Sequence, residues 1–535
     1  MNKPVNRKYL IGILIALSFI LYARTLNYGF VWDDERIHLS NNQQLIKGDL
    51  KSFWLKPYSG MYIPVTYSTW GGINTISNSN KKISPKTFHA LNVITHSINC
   101  ILVFYLLLIL FKNQAHAFWG SLLFLLHPLQ VESVAWVSEF RGLYSVFFSL
   151  LSLLSIFRFL EKNSFITARS FITSKYFMIA SVLFALALLS KPSAVVLPFV
   201  MSILVWCFYK NNFKPLLKGL SLWLLLIIPI LLITRNSQPN ELIYDSVSFW
   251  QRFFIAGHSL FFYLYKLIVP YPLAACYGYT PELILSDKLI YLSTVFFIIM
   301  ALIIFAKRKS QPLVFSGFAV ITICVLPVLG LIPFEYQKHS TVADRYIYFG
   351  MLGLTLFVPL IINVIKKHNW LKYIFGIVIL IYLVLNIKQT NTWKNEFSIW
   401  DNTLSHYQNS PKVYYNRGVE YSKLGKFNEA INDYTQCLAL QNDYRDALFN
   451  RANAYENIKN NIAAFTDYSA YLLIDSTDGS VYFKRAYLNY KTGNIEAAQR
   501  DAEKAEQFNF RVGGKFKRML QERIRMTKVL DNVKQ

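Results

Sequence analysis

The sequence predicts an all-α chain in two parts: a polytopic bundle of membrane helices, then a superhelix of helical hairpins. Two observations point to the first part. The 535 residues are 54% hydrophobic and 16% aromatic, more apolar area than a soluble domain can hide. The apolar residues also fall into runs that approach the ~20 residues needed to cross a bilayer. The second part rests on a 34-residue period in the polar sequence past Trp400.

The first run, Tyr9–Tyr22, has a basic lead in Lys3, Arg7 and Lys8, as a signal peptide has. No small-x-small cleavage site follows and many further runs do, so it reads as a retained helix. Further runs lie near 88–111, 115–127, 143–160, 176–190, 194–209, 219–234, 289–306, 311–331, 345–365 and 370–388. The shorter ones need partners or local thinning of the bilayer. Phe253–Val269 carries His258 and Lys266 and ends in VPYP, which reads as an interfacial, re-entrant or broken segment on the outer side. The basic clusters sit at Lys3/Arg7/Lys8, Lys112, Arg158–Lys175, Lys210/Lys214/Lys218, Lys307–Lys309 and Lys366/Lys367/Lys372. Placing them all in the cytoplasm closes the parity at about eleven spans, with the N-terminus cytoplasmic and the tail exoplasmic. The expected organisation is a membrane domain over 1–390 with a first outer loop at 24–87, a linker at 391–410, and repeats over 411–535.

The net charge of +25 follows from the same topology. Residues 410–535 carry 20 Lys/Arg and 15 Asp/Glu, a net +5, which leaves +20 for the membrane part. That charge is spread over short loops and forms no single stripe, so nucleic acid is not the expected partner. The five cysteines are scattered, without CxxC or metal spacing, and read as small core residues.

Three units fill the tail: 411–444, 445–478 and 479–512. Gly418, Ala452 and Ala486 share one register, and Ala430, Ala464 and Ala498 another. Small residues there let the two antiparallel helices of a unit pack closely. Period and register together identify tetratricopeptide repeats, with 514–531 as a capping helix. Such arrays offer a concave face to peptide, so a polypeptide partner is expected; a spacer or self-association module is the alternative.

Chemistry-bearing residues cluster in the predicted outer loops. Asp33 and Asp34 lie in YGFVWDDE (28–35), just past the first span. A carboxylate there can take the proton of an attacking hydroxyl; a plain Asp-Asp-Glu turn is the alternative. The loop HPLQVESVAWVSEFRGL (127–143) adds His127, Glu132, Glu139 and Arg141. If Val131–Phe140 is helical, Glu132, Trp136 and Glu139 share a face, and the Arg141 guanidinium suits phosphate. In FHALNVITHSIN (88–99), His89, Asn92, His96 and Asn99 share a helix face. The two histidines are two turns apart, about 10.5 Å of rise, too far for one metal ion, so hydrogen bonding between helices is expected. Lys191 precedes a proline in a tight outer turn, and Asp344–Arg345 opens a later span. Each can meet a phosphate or serve locally, by snorkelling or as a salt bridge. No Walker loop, GxGxxG or GxSxG is present.

The order WDDE, FHxxNxxxHxxN, HPxxxExVAWVSxxRxxL, LLSKPxAVxLP, ADRYIY, WKNEFSIW (393–400) and the repeats resembles the tetratricopeptide-repeat-bearing membrane O-mannosyltransferase-like proteins. These belong with the protein O-mannosyltransferases among the GT-C glycosyltransferases. The resemblance implies a GT-C bundle with an acidic pair in its first outer loop. It implies inverting transfer of a hexose, mannose in the first instance, from a polyprenyl-phosphate sugar to a Ser/Thr hydroxyl of a protein, with no cofactor required. Carried over, Asp33 or Asp34 is the base and Glu132 the supporting acid. Arg141, Lys191 and Arg345 hold the lipid phosphate, with His89, His96, His127 and Asp344 as supporting polar groups. The expected setting is a bacterial inner membrane with the repeats in the periplasm, or the endoplasmic reticulum lumen in a eukaryote. The chain departs from the pattern at Gly142, where relatives often have Asp, and at Ile63 before Pro64, where some have Arg. Two other readings stand beside this one: a non-catalytic membrane-anchored scaffold, and an enzyme whose acceptor is a glycan or lipid.

Overall fold

The computed structural model describes residues 6–77, 83–237 and 247–534. Lys3 of the first basic cluster and 78–82 of the first outer loop lie outside them. The regular structure among the described residues is all helical, with one isolated β-bridge between Tyr58 and Met61. They form two compact units, Met1–Asn402 and Thr403–Gln535.

In the first unit the apolar runs become α1 (Arg7–Tyr22), α3 (Pro85–Phe111), α4 (Gln114–Leu126), α5 (Phe140–Lys162), α6 (Lys175–Ser190) and α7 (Leu197–Phe208), and α2 (Pro64–Ser77) forms within the expected first outer loop. The runs continue as α8 (Leu224–Ser237), α9 (Phe249–Ile268), α10 (Leu289–Ala306), α11 (Pro312–Val325), α12 (Val358–Lys367) and α13 (Leu371–Thr392). Pro85 opens α3, where a missing N–H costs nothing. The helix ends at Lys112, in a left-handed conformation. Asn113 then caps α4 by accepting from the Ala115 and His116 N–H groups, so two residues turn the chain back on itself. The centre of the bundle is α3 packed on α4 and α5, with α6 against α5. Among the described residues five helical stretches are long and apolar enough to cross a membrane: Arg7–Asn27, Pro85–Phe111, Val137–Lys162, Lys210–Ser237 and Leu371–Thr392. Shorter apolar helices occupy Lys175–Ser190, Pro192–Phe208, Ile290–Ala306 and Pro312–Val328.

Four expectations are corrected. The run 345–365 is not one helix: 3-10 turns at Asp344–Ile347, a short helix Met351–Thr355 and α12 replace it. Gly353 sits so close to Gly317 of α11 that a Cβ on it would stand 2.5 Å from the Gly317 carbonyl oxygen. Small residues there let the short helix pack closely on α11. Of the three readings of Phe253–Val269 the broken segment is excluded: α9 runs continuously to Ile268, and its Gly257 abuts Thr294 of α10. Val131–Phe140 is interrupted at Trp136, which takes an extended backbone between a short helix, Val131–Ala135, and a 3-10 turn, Val137–Glu139. The linker 391–410 is largely folded: α14 (Glu396–Leu404) lies within it, and Trp393, Ile399 and Trp400 are buried.

The stretch after α1 folds as an outer layer. Leu39, Leu45, Phe53, Ile63, Tyr67 and Trp70 pack with Phe88, Val137 and Phe140 into one apolar cluster. Ile63, the departure before Pro64, is 2% exposed and belongs to that packing.

The second unit pairs α15 (Pro411–Lys423) with α16 (Phe427–Leu440), α17 (Arg445–Asn457) with α18 (Asn461–Ile474), and α19 (Gly479–Thr492) with α20 (Ile495–Gln507). A Cβ at Gly418 would stand 2.7 Å from the Tyr434 ring, which is why that register is small. The capping helix α21 (Gly514–Lys534) buries Phe516 and Leu520.

Candidate active site

The site is built where the outer layer meets the turn before α5. Asp34 is buried. Its Oδ1 accepts from the Ser138 amide at 2.8 Å and from the Ser138 hydroxyl, and its Oδ2 accepts from the Val31 amide at 3.2 Å. Burial pushes its carboxyl up to about 7, and the hydrogen bonds from Ser138 and Val31 oppose this. Asp33 is half-buried, and so the more accessible of the two acids. Asp34 thus fastens residues 31–34 to the 137–139 turn.

One residue beyond Ser138 lies Glu139, on which all three expected phosphate cations converge. Lys191 Nζ is 2.7 Å from Oε2, Arg141 Nε is 3.1 Å from Oε1, and Arg345 Nε is 4.0 Å from Oε1. These cations divide into two kinds. Arg345 has a side chain only 5% exposed. Its amide and guanidinium both donate to Glu132, at 2.9 and 2.5 Å. Its guanidinium also lies 4.2 Å from the Tyr336 ring centre, 4.9 Å from Tyr346, 5.3 Å from Trp136 and 5.8 Å from Trp32. Arg345 and Glu132 therefore hold the site together. Arg141 and Lys191 keep 13% and 19% exposure and can present donors to an anion. Burial pulls the Lys191 ammonium down and Glu139 offsets it. With three cations to two carboxylates, the cluster has one positive charge in excess.

Gly142 leaves room for the cluster. A Cβ there would stand 2.7 Å from Glu139 Oε2 and 3.3 Å from Lys191 Nζ. The space beside Gly142 is thus filled by the Glu139–Lys191 pair.

The remaining expected residues are scattered around this centre. Asn92 Nδ2 donates to the carbonyls of Val134 and Trp136, at 3.2 and 2.9 Å, and fixes the break at Trp136. His89 meets the Gly29 carbonyl at 3.2 Å, and His96 the Tyr348 hydroxyl at 2.8 Å; Asn99 donates to the Leu143 carbonyl at 3.0 Å. The polar face of α3 is therefore a set of contacts between elements. His127 is directed away from the acids: Nε2 donates to the Leu267 carbonyl at 3.1 Å and Nδ1 accepts from the Leu129 amide. Asp344 accepts from the Tyr277 hydroxyl at 2.7 Å; burial and the nearby Glu132 charge raise its carboxyl well above the usual range.

Sequence reasoning missed Ser138, which holds Asp34, and named Glu139 without the meeting of the three cations on it. Met61 Sδ accepts from Arg141 Nη1 at 3.0 Å. His38 bonds Tyr67 at 3.0 Å, and burial, with Arg141 adding to it, presses its imidazole down to about 3. The i, i+7 spacing of Glu132 and Glu139 was the one available signal. Among the described residues no three His, Cys, Asp or Glu are grouped to hold a metal ion.

A Caenorhabditis elegans protein O-mannosyl-transferase is 24% identical over 81% of the chain, and the human protein O-mannosyl-transferase TMTC3 is 22% identical over 84%. The chain resembles protein O-mannosyl-transferases. It spans 63% and 53% of these two relatives' own lengths. A Drosophila melanogaster protein O-mannosyl-transferase is 30% identical over 25% of the chain. The tetratricopeptide repeat family matches residues 411–444. An oligosaccharyltransferase from Archaeoglobus fulgidus in the apo form covers 71% of this chain and 55% of its own, at 11% identity and a TM-score of 0.38.

Proposed function

We propose that the chain is a membrane glycosyltransferase of the GT-C kind, moving a hexose, mannose in the first instance, from a polyprenyl-phosphate carrier to a Ser/Thr hydroxyl of a protein. One observation carries this reading: Asp34 is tied to Ser138, next to the carboxylate on which Arg141, Lys191 and Arg345 converge. An acid-bearing loop and a cation cluster with excess positive charge thus share one wall. The resemblance to protein O-mannosyl-transferases supports the sugar and the acceptor class. The repeats support a polypeptide partner.

Asp33, the more exposed acid, takes the proton of the acceptor hydroxyl as its oxygen attacks the anomeric carbon. The bond from that carbon to the phosphate oxygen breaks, and the phosphate leaves with the electron pair. Arg141 and Lys191 meet the charge that develops there. Glu132 keeps Arg345 in place and makes no contact with substrate. Single displacement inverts the anomeric centre. The expected setting is a bacterial inner membrane with the site and the repeats on the periplasmic side.

Mass spectrometry of envelope proteins from cells making the wild type or Asp33→Asn tests this. General-base loss lowers the rate by about 10²–10⁴-fold, so hexose on the acceptors should vanish. Undiminished hexose in the variant would remove Asp33 from the mechanism. Hexose absent with both chains would favour the scaffold reading.

A further inference from the structure

The backbone immediately before the acidic pair is in an unusual state, and a distant residue holds it there. Trp32 has φ 56°, a left-handed conformation that a bulky side chain adopts only where its surroundings over-determine it. The Trp32 amide donates to Glu396 Oε1 at 2.6 Å, and Glu396 Oε2 accepts from Trp400 Nε1 at 2.8 Å. The Trp32 ring stacks on Trp136 at 4.9 Å, with 14° between planes, and meets the Trp400 edge at 5.4 Å. Glu396 stands in the first turn of α14, where a carboxylate complements the helix dipole.

This contact is the last of a seam. Tyr22 Oη accepts from Asn386 at 2.9 Å, Arg24 and Tyr28 donate to Asn391 at 3.0 and 3.3 Å, and Trp32 donates to Glu396. The path from α1 to the acids is therefore laid residue by residue along the path from α13 into α14. The φ of Trp32 sets the direction in which the chain departs for Asp33, inside a turn that Asp34 closes on Val31 through its amide, at 3.1 Å, and its Oδ2, at 3.2 Å, while Ser138 anchors the Asp34 side chain. Glu396 takes the Trp32 amide inside that turn, so without its oxygen the peptide is free to turn and carry Asp33 with it while Asp34 stays tethered.

We infer that Glu396 is the positioning residue for Asp33, locking the strained Trp32 peptide so that the Asp33 carboxylate faces the acceptor. This rests on the reading of Asp33 as the base. Two measurements on the full-length chain test it. The first is kinetic, using polyprenyl-phosphate mannose as donor and envelope proteins from cells lacking the chain as acceptor. Glu396→Ala should lower kcat at least tenfold with the donor KM within twofold. Glu396→Gln, which keeps one oxygen for the Trp32 amide, should recover part of the loss. The second needs neither substrate. A thiol introduced by Asp33→Cys, in a Cys207→Ser background because the other four cysteines are buried, is labelled with a charged methanethiosulfonate. Adding Glu396→Ala should change the labelling rate at least threefold, and Glu396→Gln less. Unchanged labelling together with unchanged kcat overturns the inference, as does a fall in folded yield with full activity per folded molecule. If Glu396→Ala does not fold, Glu396→Gln is judged by the same two readouts, with wild-type values in both overturning it. Full activity in Asp33→Asn sinks the base assignment alone, and the labelling rates then still decide whether Glu396 sets position 33.

Discussion

Asp34 is a carboxylate shut away from water and held by backbone and hydroxyl donors. In the unfolded chain an Asp titrates near ~3.9, whereas in the fold its carboxyl is pushed up to about 7. Between those values the folded protein keeps a proton that the unfolded chain has released. Its contribution to stability is therefore full at the acid end and falls as pH rises through the window. His38 slopes the other way. Its imidazole is pushed down to about 3 in the fold, so its share grows as pH rises towards ~6.5. Comparing variants separates the two. The melting temperature of wild type minus that of Asp34→Asn, measured in detergent from pH 4.5 to 7.5, should decline steadily with pH. A difference that is flat across that range would contradict the buried carboxyl. At this scale the residue types were legible: the acids and all three cations could be picked from charge set against an apolar background. Their partners were not, because Asp34 meets Ser138 across 104 residues and Glu132 meets Arg345 across 213. Nor could adjacent Asp33 and Asp34 be told apart before their burial was known.

Within the repeats, one contact recurs with the period of the sequence. Arg417 pairs with Asp433, Arg451 with Asp467 and Arg485 with Asp501, each through two parallel bonds of 2.7–2.8 Å. The other guanidinium nitrogen of Arg451 reaches Thr435, and that of Arg485 reaches Ser469, in the preceding unit. The fork thus ties the two helices of a unit and joins neighbouring units. Lysine keeps the charge but not the planar fork. Arg451→Lys should cost about 1–3 kcal/mol, seen as faster amide hydrogen exchange across α17 and α18 in the full-length chain. Exchange unchanged in both helices would mean the fork is dispensable. Helices of this kind were legible because small residues repeat in register. The broken run at 345–365 was not, since an apolar stretch reads alike whether its backbone is continuous or divided into short turns.

The molecule divides at Asn402, close to the composition change past Trp400. The folded linker escaped notice because WKNEFSIW is too short to show a period, although two of its tryptophans and its Glu396 are built into the first unit. Loop charge predicts about eleven crossings, with the acids and the repeats outside the cytoplasm. Single cysteines at positions 33 and 459 should both react with an impermeant thiol reagent added to intact spheroplasts. Labelling of one without the other, or of neither until the membrane is breached, would overturn that topology and the lipid-borne donor with it.

Gly142 also bears on the charge balance. The atoms nearest a Cβ at 142 are the ends of the Glu139 and Lys191 side chains, which can swing aside, so an acid gained there would join Glu139 beside the same cations. Gly142→Asp should therefore bring three carboxylates to three cations and weaken the binding of inorganic phosphate; undiminished binding would overturn this.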